Sequence, residues 1–440
     1  MMILSFLVIQ AFSRTKYGIM IDAGSSGTRA HIYQWEKTPG IPNVQPAPNV
    51  SNAWAIKAKI RLADAATNNT VISSIFRTII EYCSKRIPEA ELVRTSIFVY
   101  ATAGMRLLSV SDQQRVIEET YGFLKSNSPF KVKLDNIRVI DGIEEGVYGW
   151  LSVNHLLGHF INNRPTVGAL DLGGASFQIA MQLDDTEASS SKYYVTIGNK
   201  RIVVFAHSYL GYGVDVSSRT ISKSISAVMR NDTVINPCFP NGYTGVSGKI
   251  NVVGTGDFEH CSSLIEKIMV QSPGFEAVNI PTLQKRNEFV GMANLYFANE
   301  FFGLPSDSSL EELKAKSSGY CKTPWAESFN KVKGTGAQDY AHTYCFCGVY
   351  QHTLLTKGYS FQDGKTKLLK KDTIDGVDLS WTIGAMLSKV SDIEISEVSP
   401  LPIKAIIASN IVGFCVLLPI YIIVGRKFKT IRRHSNSIPV

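Results

Sequence analysis

Two stretches of this 440-residue chain end an apolar run on a carboxylate and continue with residues too small to pack: IMIDAGSSGT (19–28) and GALDLGGAS (168–176). Backbone N–H groups in a Gly/Ser turn can converge on an anion, and small side chains let phosphate oxygens approach them. The first turn, Gly24-Ser25-Ser26-Gly27-Thr28, also offers three hydroxyl donors, so it reads as a phosphate-binding turn. An Asp beside such a turn repels the phosphate unless a divalent cation stands between them. Asp22 and Asp171 are therefore candidates to hold Mg2+ or Ca2+ through water, since both ions take oxygen ligands and bridge phosphate oxygens. One such motif would be read as an Asp-capped turn; its recurrence favours a site shared by two halves.

The third element is DGIEEGVYGW (141–150). Asp141 followed three residues later by Glu144 has the form of a helix capping box, with Val147, Trp150, Leu151 and Leu157 on the buried face. That accounts for Glu144 and leaves Glu145 in the first turn, free to face a cleft and take a proton from attacking water. Ser176 and Gln178 follow Asp171 closely and each offers both a donor and an acceptor, which suits them to orient that water. ATAGMR (101–106) adds a small-residue turn whose Thr102 hydroxyl can meet metal-bound water.

The elements that must position these residues follow from periodicity. Residues 17–35 read as strand, tight turn, strand; 71–86 as a helix; 95–108 as an apolar strand ending in small residues; and 136–142 as another strand. A helix is predicted from about Glu144 to Phe160, and 166–181 repeats the opening pattern. The run NEFVGMANLYFANEFFGL (287–304), apolar on nearly all sides, is predicted to be helical. A pattern recurring once at domain length predicts two lobes facing a shared cleft.

Composition is that of a globular protein, 45% hydrophobic and 19% charged. The net charge of +8 is concentrated at the C-terminus, where Arg426, Lys427, Lys429, Arg432 and Arg433 stand without any Asp or Glu, so the body gives no support for a nucleic-acid role. These charges follow a charge-free apolar run, residues 405–424, long enough to span a bilayer. The positive flank places the body outside or in a lumen. Residues 1–13 read as a signal peptide, short and apolar with Ala11 and Ser13 near the cleavage point. Sequons at Asn49, Asn68 and Asn231 fit that compartment. So do the seven cysteines, of which Cys83, Cys238, Cys261, Cys321, Cys345 and Cys347 precede the span and Cys415 lies within it; Cys345-Phe-Cys347 is too tight for the usual zinc spacing.

In order and spacing, IDAGSSGTRAHIY, YATAGMRLL, DGIEEGVYGW, ALDLGGASFQI and YCFCGVYQHTLLTKGYSF resemble the segments of the nucleoside triphosphate diphosphohydrolase, or apyrase, family, and SWTIGAML (380–387) resembles its last lumenal helix. The resemblance implies an α/β, two-lobed actin/hexokinase-like fold with duplicated ribonuclease-H-like halves, followed by a C-terminal transmembrane helix. The implied organisation is a signal peptide at 1–13, lobe I at 14–141 with a return segment at about 380–397, lobe II at 142–379, a stalk at 398–404, the span at 405–424 and a basic cytoplasmic tail at 425–440. The implied reaction is divalent-metal-dependent removal of terminal phosphates from nucleoside tri- and diphosphates. Glu145 matches the family's catalytic base, Ser176 and Gln178 the residues holding the water, and Asp22 and Asp171 those that reach Ca2+ or Mg2+ through water. Ser25, Ser26, Thr28, Thr102, Ala103, Gly173, Gly174 and Ala175 match the phosphate-binding positions, with Gly24 and Gly27 inside the first turn.

The family sandwiches its nucleobase between two aromatic rings, matched here by Tyr350 and, in the 287–304 run, by Tyr296, with Phe297 as its neighbour. Cys321 and Cys345 match a family disulfide; Cys238 and Cys261 match cysteines whose usual partners are absent, which leaves them to pair with each other. The chain departs from the family at Gly211, where a cysteine is usual, and near Val214, where a basic residue is usual. Two other readings carry the same turns: a sugar-kinase-like phosphotransferase, in which a hydroxyl replaces water, and a non-catalytic nucleotide-binding surface protein.

Overall fold

The structure is a computed structural model that describes residues 15–37, 40–47, 55–184, 192–273, 275 and 288–397. The chain divides into a compact unit through Lys389 and a second from Val390 to Val440. The signal peptide, stalk, membrane span and tail expected from the sequence lie outside the described residues. Among the described residues no helix is long and apolar enough to cross a membrane.

The first sheet is built on a hairpin of β1 (Lys16–Gly24) and β2 (Gly27–Trp35), antiparallel with Asp22 opposite Arg29. The short strands β3 (Gln45–Pro46) and β4 (Ala55–Ala58) both pair antiparallel with β2, while β5 (Ser96–Ala101) and β6 (Lys131–Val139) continue the sheet in parallel beyond β1. Strands of the parallel part are apolar on both faces because each face is covered: Ile19, Met20, Ile21, Ile97 and Val99 are all fully buried. The helices of this part are α1 (Thr70–Ser84), which packs on β2 and β4, the short α2 (Glu89–Leu92), α3 (Ala103–Arg106), which packs on β1 and β5, and α4 (Val110–Asn127), which packs on β6.

The second sheet repeats this plan. β7 (Gly168–Leu172) and β8 (Ser176–Gln182) form a hairpin with Asp171 opposite Gln178, extended antiparallel by β10 (Lys200–Leu210) and β9 (Lys192–Ile197). On the other side β14 (Glu288–Ala293) and β15 (Lys367–Lys370) add in parallel. The two hairpins with their flanking parallel strands are the duplicated halves that the repeated Asp–Gly pattern predicts. A small sheet of β11 (Thr233–Asn236), β12 (Thr244–Ser247) and β13 (Ile250–Gly254) packs against α6 (Val214–Met229).

Two predicted helices need correction. The run 287–304 is strand β14 followed by α8 (Asn294–Phe301). Its first half is apolar all round because it is the central strand between β7 and β15, buried on both faces, and Ala293 at φ 57 turns the chain into the helix. The helix expected from Glu144 to Phe160 is α5 (Gly142–Leu156), and Gly158 at φ 68 lies in the turn that follows it.

Helix α5 packs on β7, β8 and β10 while its start is tied to the first sheet. Its capping box is present, with Glu144 N donating to Asp141 Oδ1 at 2.7 Å and Asp141 N to Glu144 Oε2 at 3.3 Å. Both Glu144 oxygens also accept from Arg138 of β6 at 2.7 Å. The remaining helices are α7 (Phe258–Ile265), α9 (Leu310–Lys322), α10 (Trp325–Val332), α11 (Tyr344–Thr353) and α12 (Trp381–Glu397). The start of α12 returns to the first sheet: Trp381 stacks on Tyr100 and Tyr148, and Thr382 Oγ1 meets the Tyr33 hydroxyl at 2.7 Å. Disulfides join Cys238 to Cys261 and Cys321 to Cys345, as paired from the resemblance, whereas Cys83 and Cys347 are buried free thiols.

Candidate active site

Capping fixes which way each carboxylate of α5 faces. With Glu144 held by Asp141 and Arg138, the next residue rotates about 100° round the helix axis, and Glu145 turns inward, only 7% exposed. Its Oε2 accepts from Arg106 Nη2 at 2.7 Å and from Gln178 Nε2 at 3.1 Å. Ser176 Oγ accepts from the same two donors, at 3.2 Å and 2.7 Å. The structure thus brings Glu145, Ser176 and Gln178 together, and Arg106, at the end of the ATAGMR turn, joins them. Its other nitrogen, Nη1, donates to Ile140 O at 3.1 Å, which fixes the guanidinium across the cleft. Ser208, opposite Gln178 in β10, accepts from Gln178 Nε2 at 3.2 Å.

Burial pushes the Glu145 carboxyl above its ordinary range, and the charge and hydrogen bond of Arg106 oppose this. Gln178 Nε2 has three acceptors in reach of its two N–H groups, on Glu145, Ser176 and Ser208, and its Oε1 has no protein donor among the described residues. Ser176 receives two hydrogen bonds and keeps its own proton to donate. A water between these groups would therefore find a base, a donor and an acceptor.

Asp22 and Asp171 occupy equivalent hairpin positions in the two sheets. Burial and then Glu145 and Asp22 push the Asp171 carboxyl up to about 7. Burial also raises Asp22, to about 6, with Glu145 adding to it and Arg29 opposing. Each aspartate thus feels Glu145 across the cleft, and Arg29 Nη1, 3.5 Å from Asp22 Oδ2, neutralises only part of this charge. Asp22 Oδ1 is buried without a hydrogen-bond partner. A divalent cation would relieve both the crowding of charge and the orphaned oxygen, so the donor set, all carboxylate oxygen, fits Mg2+ or Ca2+. Among the described residues no three His, Cys, Asp or Glu groups converge to hold an ion directly.

The two phosphate turns differ in detail from their sequence reading. Ser25 and Ser26 form the two-residue tip of the first hairpin, and Gly27 at φ 141 brings its backbone against Ala58 O, 2.6 Å from where a Cβ would stand. The Thr28 hydroxyl is not presented to the cleft: it is buried and donates to Ile60 O at 3.0 Å. Gly104 lets Ser25 Cα come within 3.1 Å of its would-be Cβ, which packs the ATAGMR turn, with buried Thr102 and Ala103, against the first tip. In the second turn the carbonyls of Gly173, Gly174 and Ala175 accept from Val214, Asp215, Val216 and Gly211, tying it to the start of α6. The backbone amides of Ser25, Ser26, Gly174 and Ala175 donate to no carbonyl among the described residues and remain available to an anion. A Cβ on Gly174 would stand 3.1 Å from Ser25 Oγ and 2.7 Å from Asp215 Oδ2, so the two turns face each other.

The expected aromatic pair is not assembled. Tyr350 is fully buried, its hydroxyl donates to Tyr212 O at 2.7 Å and accepts from Ser217 Oγ at 3.0 Å, and its ring stacks on Phe346. No face of that ring is left for a base. Tyr296 is partly exposed with its hydroxyl on Glu300 Oε1 at 3.0 Å, beside Phe297, which is 41% exposed.

A hairpin–Asp–Gly unit duplicated across a cleft defines a two-lobed α/β protein of the actin/hexokinase-like class. A nucleoside triphosphate hydrolase from Neospora caninum shares the fold, with a TM-score of 0.63 at 18% identity over 87% of this chain and 93% of that one. The chain belongs to the GDA1/CD39 (nucleoside phosphatase) family, whose model matches residues 8–406. It is 29% identical to ectonucleoside triphosphate diphosphohydrolase 1 of Bos taurus over 93% of this chain and 88% of that protein. It is 28% identical to the Golgi apyrase of Schizosaccharomyces pombe over 87% of this chain and 73% of that protein.

Proposed function

We propose that this protein hydrolyses the terminal phosphates of nucleoside tri- and diphosphates, with a divalent cation bound and Glu145 as general base. One observation carries the reading: a buried glutamate, a serine and a glutamine share hydrogen bonds at 2.7 to 3.2 Å beside two facing aspartate turns. Family membership supplies the reaction class, nucleoside phosphate hydrolysis.

Bound through Asp22 and Asp171, Mg2+ or Ca2+ supplies positive charge to the phosphate oxygens. The chain supplies the rest. Free amides of Ser25, Ser26, Gly174 and Ala175 bind the phosphates, and Gln178 and Ser176 orient water at the terminal phosphorus. The Glu145 carboxylate accepts a proton as that water attacks, and the bond from the terminal phosphorus to the leaving nucleoside di- or monophosphate breaks with the electron pair staying on the leaving group's oxygen. Arg106, bonded to both Glu145 and Ser176, keeps the base ionised and holds it against the serine. Changing Glu145 to Gln is expected to abolish phosphate release while nucleotide still binds; full release would overturn the assignment.

The ecto-enzyme and Golgi apyrase among the relatives support a body outside the cell or in the Golgi lumen. The two disulfides suit such an oxidising compartment, and the sequon residues Asn68 and Asn231 are exposed. In this reading residues 405–424 anchor the protein to the membrane.

A further inference from the structure

Three residues lie in one row across the first sheet: Asp22 of β1 opposite Arg29 of β2, and Arg29 opposite Lys57 of β4. Directly opposed residues of antiparallel strands project to the same face, and Asp22 faces the cleft, where it feels Glu145. Arg29 and Lys57 therefore stand on the cleft face as well. Two cations directly opposite each other on neighbouring strands destabilise a sheet. Arg29 at least has Asp22 at 3.5 Å. The Lys57 ammonium has no hydrogen bond or ion pair among the described residues; partial burial, then Arg29 and Lys59, oppose its charge and Asp22 favours it, although the residue is largely exposed. Among the described residues only Asp22, at the far end of the row, favours a cation at that position.

The adjoining backbone supplies a reason. Strand β4 runs directly into the segment that supports the first phosphate turn: Ala58 pairs with Thr28, Ala58 O closes on Gly27, and Ile60 O takes the Thr28 hydroxyl. Lys57 thus sits on the strand that shapes the turn, on the same face as the aspartate that would reach the cation. Glu145 influences Asp22, while Lys57 is placed two strands out from Asp22, beyond Arg29. An anion above the row would turn the repelling pair Arg29–Lys57 into two favourable contacts.

Resting on the nucleotide phosphohydrolase reading above, we propose that Lys57, paired with Arg29, is a substrate-binding residue that grips the phosphate chain of the nucleotide, outside the Glu145–Ser176–Gln178 cluster that acts on the attacking water. The test measures affinity of the full-length protein for adenosine 5′-(β,γ-imido)triphosphate, together with kcat, KM for ATP and Tm. Lys57→Ala is expected to weaken the analogue and raise KM about ten-fold, the size of one lost charge-assisted hydrogen bond, with kcat kept. Its Tm without nucleotide is expected to hold or rise, because a like-charge contact is removed. Lys57→Arg should keep most of the affinity, and Lys125→Ala, the same charge change on exposed α4, should leave it unchanged.

Unchanged analogue affinity in Lys57→Ala would overturn the proposal. So would an equal loss in Lys125→Ala, which would mark an effect of bulk charge, or a fall in Tm accompanying the loss, which would mark a structural role. Because the analogue is not turned over, a wild-type protein that releases no phosphate would overturn the functional reading and leave the binding contrast to decide this one.

Discussion

Removing the Arg106 guanidinium takes three hydrogen bonds from the centre of the cleft: to Glu145 Oε2 at 2.7 Å, Ser176 Oγ at 3.2 Å and Ile140 O at 3.1 Å. The side chains of the Arg106–Glu145 pair are only 12% and 10% exposed, so solvent screens this pair little. Breaking one member of a buried pair leaves the other charge uncompensated, a cost of about 3 kcal/mol in Arg106→Ala. The sign on the base follows from the opposing influences at Glu145. Burial raises its carboxyl and Arg106 lowers it, so without Arg106 the carboxyl rises further. A general base must be ionised, and the acidic limb of the pH–rate profile will therefore move to higher pH, with the loss of activity larger at pH 6 than at pH 8. Arg106→Lys restores charge without the planar fork that reaches both Glu145 and Ser176, and should recover the stability better than the rate. Phosphate release followed across pH, beside urea midpoints for wild type and both variants, checks all of this. An Arg106→Ala protein with an unmoved acidic limb would refute the claim that Arg106 holds the base ionised.

Two further outcomes follow from the same geometry. Burial and Arg29 hold His31 down at about 3. Since that lies below its ordinary 6.5, the unfolded chain takes up a proton first as pH falls, and stability drops by about 1.5 kcal/mol between pH 6.5 and 5 through this residue. Urea midpoints at the two pH values should differ less in His31→Gln than in wild type; equal differences would contradict the assignment. A methyl on Gly213 would stand 2.2 Å from Ala175 N and 2.3 Å from Gly174 C, backbone atoms that cannot move without deforming the second phosphate turn. Gly213→Ala should weaken nucleotide binding, measured as Kd, whereas Gly122→Ala, with nothing within 4 Å of its added Cβ, should not.

Much of the site was legible because its parts are local. The carboxylate at a strand end, the small-residue turn and the capping box that separates Glu144 from Glu145 each lie within ten residues, and their repetition predicts the two halves. Arg106 was not legible, because a basic residue ending a short helix reads as a solvated charge, and its meaning comes from partners 39 and 70 residues away. Lys57 is hidden for the same reason, since pairing of β4 with β2 gives no local signal. The 287–304 run shows how burial on two faces erases periodicity: a central parallel strand and a buried helix look alike until neighbouring strands are known. Tyr350 shows the converse. Its place on α11 among packed aromatics, with its hydroxyl doubly bonded inside the protein, decides its surroundings in this structure.

The central claim is that Glu145 takes the proton of the attacking water. Its most direct test sets Glu145→Gln beside wild type in one experiment, measuring phosphate release and nucleotide Kd with Mg2+ and with Ca2+. Glutamine keeps the shape of the side chain but has no basic oxygen, so release should fall by about 10²-fold or more with either ion while Kd stays near the wild-type value. A Glu145→Gln protein that releases phosphate at the wild-type rate would contradict the account.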